Sequence, residues 1–306
     1  MLLQSNAPAS ALDLKTALFV ALAVIGVFYL VVLTRGIKVA RADQGSAVRP
    51  DAPGLITGFV TNFFDTLGIG SFATTTAIFR QWRMVIDEHI PATLNIGHTI
   101  PTIAQAYIFT RLVPVDSMTL ILMIGAAVIG SWIGAGVAVG WPRRNIQISM
   151  GLALLIFSAI LLMGQLGIGP KGGTLLKLEG SRLAIGLAGN FVLGALMPLG
   201  IGLYGPCMVL IYLLGMDPKA AFPIMMGSCA FLMPVASARF IKEKAFNAKA
   251  VLGLAIGGLP AVLIAAFIVK SMPLKYLMWL VLVVVLYTAL TLLLAATREK
   301  AAPSTA

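Results

Sequence analysis

Charge is scarce in this chain. Asp, Glu, Lys and Arg make up 11% of its 306 residues while 59% are hydrophobic, too little polar surface to keep a globular protein of this size in water. Cysteine is scarcer still: Cys207 and Cys229 are the only two. Both lie in apolar stretches without a CxxC or Cys/His spacing, which excludes a disulfide framework and a zinc site and leaves them as small buried hydrophobes. Of the two histidines, neither His89 nor His98 belongs to a His-Glu-x-x-His helix or a Gly-x-Ser-x-Gly nucleophile turn. No enzyme activity, metal or cofactor is therefore expected. Acidic residues number 11 against 22 basic ones, a net charge of +11 that would suggest nucleic acid in a soluble chain. Here the basic residues sit in short loops between apolar runs, as topology signals do, so nucleic acid is not expected as a partner.

What is abundant is apolar sequence, with a mean hydropathy of +0.98. The chain reads as an all-α polytopic membrane protein of about seven to nine segments. An uninterrupted apolar run over residues 17–33 is followed by Arg35, Lys38, Arg41 and Arg49. That order fits an uncleaved first span ending in the cytoplasm better than a signal peptide, which would be basic in front. Plain spans are expected at about 92–110, 118–139, 146–166, 220–238, 248–269 and 274–295. Residues 54–79 and 183–214 are long enough to cross but are broken by glycine and polar residues. Unwound backbone at membrane depth survives only where protein encloses it, so both read as discontinuous helices. The expected units are a first span and loop over 1–53, a first repeat over 54–167, a Gly-rich basic linker over 168–182, a second repeat over 183–296 and a disordered tail over 297–306.

The two halves resemble each other. A shift of 132 residues superposes Gly54, Leu55, Phe59, Val60, Leu67, Gly68, Ile69, Gly70, Met84 and Pro91 on Gly186, Leu187, Phe191, Val192, Leu199, Gly200, Ile201, Gly202, Met216 and Pro223. Ten identities in 38 positions exceed the roughly three that a biased composition gives by chance, and indicate an internal duplication. Paired breaks at matching positions of two repeats point to the binding site of a secondary transporter. Orientation stays partly open. Fourteen of the 22 Lys and Arg residues fall on the cytoplasmic side whether both breaks cross or both re-enter. Either scheme puts the loop 239–249 and the C-terminus in the cytoplasm.

The candidate chemistry lies at the breaks. A helix restarting after Gly68 and Gly70, through Ser71, Thr74 and Thr75, would aim free N–H groups and its positive dipole end into the membrane. Gly200 and Gly202, followed by Tyr204, Gly205 and Pro206, offer the same in the second half, with Pro suited to a first turn. The structural alternative is that such glycines only permit close packing, the reading preferred for Gly130, Gly134 and Gly136. Asn95, His98, Thr99, Thr102 and Gln105 form a polar stripe on one helical face, which must look inward. A pathway lining is favoured there over interhelical contacts alone. Asp65 is the one acid well inside a span. It could carry a coupling proton, as could His98, or cap the broken helix.

With these motifs in view the chain resembles the sulfite-exporter-like TauE/SafE family of bacterial membrane proteins. The resemblance rests on the sequence around Gly200, Tyr204, Gly205 and Pro206, then Leu214, Gly215, Met216, Asp217 and Pro218, then Gly227 and Ser228, Arg239 to Lys242, and Gly257 and Gly258. It spans roughly residues 54–295. In the first half the family's triple-glycine break is replaced by Gly68-Ile69-Gly70-Ser71, with Asp65 and the Thr run added. The resemblance implies a permease in the cytoplasmic (inner) membrane that moves sulfite, an organosulfonate or another small anion, by alternating access and with protons as one option for coupling. A passive anion channel is the alternative, an intramembrane enzyme a remoter one. The expected partners are the anion and the bilayer, with a homodimer left open.

Overall fold

The computed structural model describes residues 9–44, 48–137, 143–168, 173–197, 202–271 and 273–301. Eleven α-helices occur among them: α1 (Ala9–Gln44), α2 (Ala52–Thr66), α3 (Ser71–Gln81), α4 (Ile90–Leu112), α5 (Ser117–Val137), α6 (Arg143–Gln165), α7 (Gly180–Leu196), α8 (Tyr204–Leu213), α9 (Ala221–Lys242), α10 (Ala248–Ser271) and α11 (Leu274–Ala301). Among the described residues the only β pairing is an isolated bridge between Leu175 and Met216. Four helical stretches, Leu14–Ala42, Pro218–Lys242, Ala248–Ile268 and Met278–Thr297, are long and apolar enough to cross a membrane. The outer helices expose Val24, Trp132, Ile156, Phe267 and Val283, an apolar exterior that suits lipid rather than water.

α4 has 23 residues but is not among the apolar stretches, because the polar stripe lowers its hydropathy. It can carry those polar groups because it packs between α9, α10 and the α2–α3 pair, where fifteen of its residues are buried. Such a helix answers to protein neighbours, not to hydrocarbon.

Contacts fix the direction of each helix. Asp51 Oδ2 pairs with Lys249 Nζ at 2.8 Å, and the Asn247 N–H donates to Thr93 Oγ1 at 3.0 Å. Gly54 abuts Gly253, Gly97 abuts Leu254, and Asn62 and Pro101 both abut Gly258. α2, α4 and α10 therefore start together at one end of the bundle, the Asp51 end, and run side by side. At the other end the Asp116 N–H donates to the Leu176 carbonyl (2.8 Å), the Leu178 N–H to Thr119 Oγ1 (3.1 Å) and the Asp217 N–H to the Leu175 carbonyl (2.9 Å). Asn190 Nδ2 reaches both the Met123 carbonyl and Ser228 Oγ, so α5, α7 and α9 start at this Asp116 end. Phe109 near the end of α4 stacks on Phe222 near the start of α9 at 5.1 Å, so α4 and α9 are antiparallel and the two ends are opposite.

Sequence could not separate crossing from return for the broken segments, and the contacts are those of return. After α3 the chain comes back to the Asp51 end, where Met84 accepts a hydrogen bond from Asn247 Nδ2 at 3.4 Å. α2 and α3 form a hairpin whose bend, Gly68 to Gly70, lies inside the bundle. After α8, Met216 comes back to Leu175 at the Asp116 end, so α7 and α8 form a second hairpin entering from the opposite end.

The connecting parts carry structure of their own. Residues 173–179, assigned to a linker, are tied down between the halves: Leu178 is buried, and Leu175 exchanges backbone hydrogen bonds with Gly215 and Asp217. The expected tail begins at Thr297, yet α11 continues to Ala301. Residues 302–306 lie outside the described residues.

The Asp51 end has a built-in acid sensitivity. Asp51 caps α2 by accepting from the Gly54 N–H at 3.0 Å. Burial alone would raise its carboxyl, but hydrogen bonds from Lys249 and Gly54 outweigh that and hold it below its usual 3.8. A carboxyl lower in the folded than in the unfolded state stabilises the fold above the unfolded value, and that stability is lost as pH falls through the folded value. The first turn of α2 is thus expected to fray below about pH 3.8, read as faster amide exchange at residues 54–56. In Asp51→Asn that acid step should be absent; its persistence would assign the step to another group.

Candidate functional site

The first bend is built by a glycine cap. The Gly68 N–H donates to the Asp65 carbonyl (2.8 Å) and the Ile69 N–H to the Phe64 carbonyl (3.0 Å). With Gly68 at φ 100°, this is the Schellman closure of a helix C-terminus. Gly70, at φ 82°, then turns the chain into α3, and both angles favour glycine. Gly68 packs toward Met208 and Phe222 rather than toward open space. Gly70 lies against Tyr204, the first residue of α8. The starts of α3 and α8, one from each half, thus meet inside the bundle.

Where they meet is a cavity of about 20 Å³ lined by Asp65, Gly70, Ser71 and Phe72 from the first hairpin, Thr102 from α4, Met197, Gly202, Leu203 and Tyr204 from the second hairpin, and Cys229 and Met233 from α9. That volume admits a water-sized molecule. Among the described residues the lining holds one carboxylate, Asp65, and no cation. Ser71 and Tyr204, the first residues of α3 and α8, both lie in this lining, and Pro206 in the first turn of α8 has no N–H to offer.

Asp65 is fully buried at the end of α2. Gln105 Nε2 donates to its Oδ2 at 2.9 Å and lies 2.8 Å from Thr66 Oγ1, while Gln105 Oε1 accepts from the Tyr204 hydroxyl at 2.8 Å. The Ser71 amide and hydroxyl also reach the Asp65 carboxylate. Asp65 therefore sits between the end of α2 and the start of α3, at the cavity wall. Gln105 joins α2, α4 and α8 in one buried network. Removing the Tyr204 hydroxyl leaves Gln105 Oε1 buried without its donor, at a cost of about 1–3 kcal/mol. Tyr204→Phe is expected to lower the thermal unfolding midpoint accordingly, and an unchanged midpoint would mean that Gln105 finds another partner.

The other candidates separate by depth. Ser71, Gly70, Thr102, Gly202 and Tyr204 line the cavity. Gly205 does not; it faces Thr288 on α11. Thr74 bonds back to the Ser71 carbonyl. Thr75 Oγ1 and Asn62 Oδ1 hold the two ring nitrogens of His98, each at 3.0 Å. Asn62 Nδ2 donates to the Gly58 carbonyl, so its Oδ1 accepts from His98 Nδ1–H and Nε2 is left to accept from Thr75. His98 is thus a satisfied tie between α2, α3 and α4, outside the cavity lining. Asn95 lies nearer the Asp51 end, with Nδ2 on the Pro91 carbonyl and no hydrogen-bond partner for Oδ1 among the described residues. Gly200 lies outside the described residues.

Sequence reasoning placed Gln105 on the stripe but did not choose it as a site residue, although its position one turn beyond Thr102 was the available signal. Phe72, Met197, Leu203, Cys229 and Met233 were not foreseen, because an apolar residue lining a cavity looks in sequence like any core residue. Gly130 behaves as a packing glycine: a Cβ there would strike the Phe191 carbonyl. Comparison with curated proteins gives no match, and neither does comparison with solved structures. Residues 182–306, from the first turn of α7 through α11, match the family model described as sulfite exporter TauE/SafE, a family of membrane transporters.

Proposed function

We propose that the chain is a secondary transporter of a small anion, sulfite or an organosulfonate first, working by alternating access across the cytoplasmic membrane. The observation that carries the reading is the meeting of two helix N-termini, one per half, at a buried cavity with donors on both sides. An oxyanion with several acceptor oxygens suits such a site. The helix starts support a duplication: α2 to α6 begin at residues 52, 71, 90, 117 and 143 and α7 to α11 at 180, 204, 221, 248 and 274, close to the 132-residue shift. The packing supports it too, since α2 on α10 is answered by α7 on α5, and α4 on α10 by α9 on α5. Hairpins entering from opposite ends support a reading as inverted repeats, with seven crossing helices and two re-entrant pairs. Arg35, Lys38, Arg41, Arg239, Lys242, Lys244 and Lys249 gather toward the Asp51 end, which favours the cytoplasm for that end and for the C-terminus.

Asp65 gives the reading its coupling. An anion entering the cavity meets a carboxylate that already holds the Ser71 donors. A proton on Asp65 removes the repulsion and releases those donors, so anion and proton are taken up together. The cavity is smaller than a sulfite ion, which favours a gated site over the open pore of a passive channel. Purified protein in proteoliposomes is expected to accumulate labelled sulfite or a labelled sulfonate uphill when a proton gradient is imposed. Flux that only follows the anion's own gradient would assign the chain to the channel class.

A further inference from the structure

A second cavity, of about 300 Å³, lies at the Asp51 end between the C-terminal parts of α1 and α9, lined by Arg35, Val39, Ala40, Ile241, Lys242, Lys244 and Phe246, with Gly36 at its floor. Gly36 lets α1 approach Ile241 closely, and the turn after α9 swings Lys244 into place with a φ of 54°. Three cations share this lining with four apolar side chains. Glu243, next to Lys242 in sequence, is committed to Arg239 at 3.0 Å. Arg35 and Lys242 are exposed and have no ion-pair partner among the described residues.

The surface leading to this cavity is what selects its occupant. Val24, Phe28, Val31, Arg35 and Val39 follow one another three or four residues apart, so they form one stripe along α1. All five are exposed. The stripe is apolar over membrane depth and becomes cationic where it reaches the cavity, a polarity that matches an amphiphile with acyl chains below and an anionic head above. A soluble phosphate would use the cations but leave the stripe unexplained. We propose that this cavity binds the phosphodiester headgroup of an acidic phospholipid, with its chains along the α1 stripe. The proposal requires residence in a membrane but not the anion-transport reading.

The test uses the full chain in detergent, titrated with phosphatidylglycerol or phosphatidylcholine and read by native mass spectrometry. Wild type is expected to retain phosphatidylglycerol in preference to phosphatidylcholine. In the double variant Arg35→Gln, Lys242→Gln, affinity for phosphatidylglycerol should fall roughly thirtyfold, about fivefold for each cation removed. Arg35→Lys, which keeps the charge, should retain most of it. Both variants change exposed side chains, and an unshifted melting curve checks that they fold. Equal retention of the two lipids by wild type, or equal phosphatidylglycerol binding by wild type and the double variant, overturns the site. Displacement of phosphatidylglycerol by millimolar inorganic phosphate overturns the lipid as its occupant.

Discussion

Asp65→Asn is expected to abolish uphill anion accumulation in proteoliposomes under a proton gradient, a loss of at least about tenfold, equivalent to about 1.4 kcal/mol, while the protein stays folded. Asn keeps the shape of Asp and can still accept from Gln105, so the wall between α2, α4 and α8 stands. What it lacks is a group that changes charge. In wild type the carboxylate repels a second anion, and only a proton removes that repulsion. With Asn in its place the cavity is uncharged at every pH, so flux loses its pH dependence and any remaining transport runs downhill. Initial rates at several external pH values, for wild type and variant, decide the matter. A variant whose flux keeps the wild-type pH slope removes Asp65 from coupling. His98 would be a poor second choice, because both of its ring nitrogens are already held by Asn62 and Thr75.

Gly58→Ala is expected to be strongly destabilising. A Cβ at Gly58 falls on the Gly253 carbonyl oxygen, 2.7 Å from Leu254 Cα and 2.9 Å from the Leu254 carbonyl oxygen. These are backbone atoms of α10, which cannot turn aside as a side chain can, so the two helices must separate. Overpacking of this kind costs about 1–3 kcal/mol or more. Because α2 also carries Asn62 and Asp65, the separation should disturb the central network as well. Gly125→Ala is the control: a Cβ at Gly125 meets nothing within 4 Å, and Ala gains up to about 1 kcal/mol over Gly in a helix interior. Thermal unfolding followed by size-exclusion chromatography should show a lower midpoint for Gly58→Ala and an equal or higher one for Gly125→Ala. The reverse order would mean that the α2–α10 seam is looser than its backbone contacts indicate.

How legible the site was depended on depth. The stripe from Asn95 to Gln105 follows from helical periodicity, because residues three and four apart must share a face. Periodicity does not say which neighbour that face meets at each level. α4 meets the Asn247 turn at its start, the α2–α3 hairpin around His98, and the cavity only at Thr102 and Gln105. Three residues of similar polarity therefore end as a one-sided contact, a structural tie and a site wall. Cys229 and Met233 enter the lining from α9 because α9 runs antiparallel to α4, a relation that no local pattern encodes.

By itself the sequence determined that the chain is helical and membrane-bound, where its apolar stretches lie, and that two related interruptions divide it, because hydrophobic length and glycine act on the residues that carry them. Only the tertiary structure decided that each interruption turns back, that the starts of α3 and α8 meet beside Asp65, and that Gln105 joins the halves. The physical reason is that a bend costs nearly the same whether the chain continues or returns. The choice is made by distant partners such as Asn247 for Met84 and Leu175 for Met216, which chain order leaves far apart.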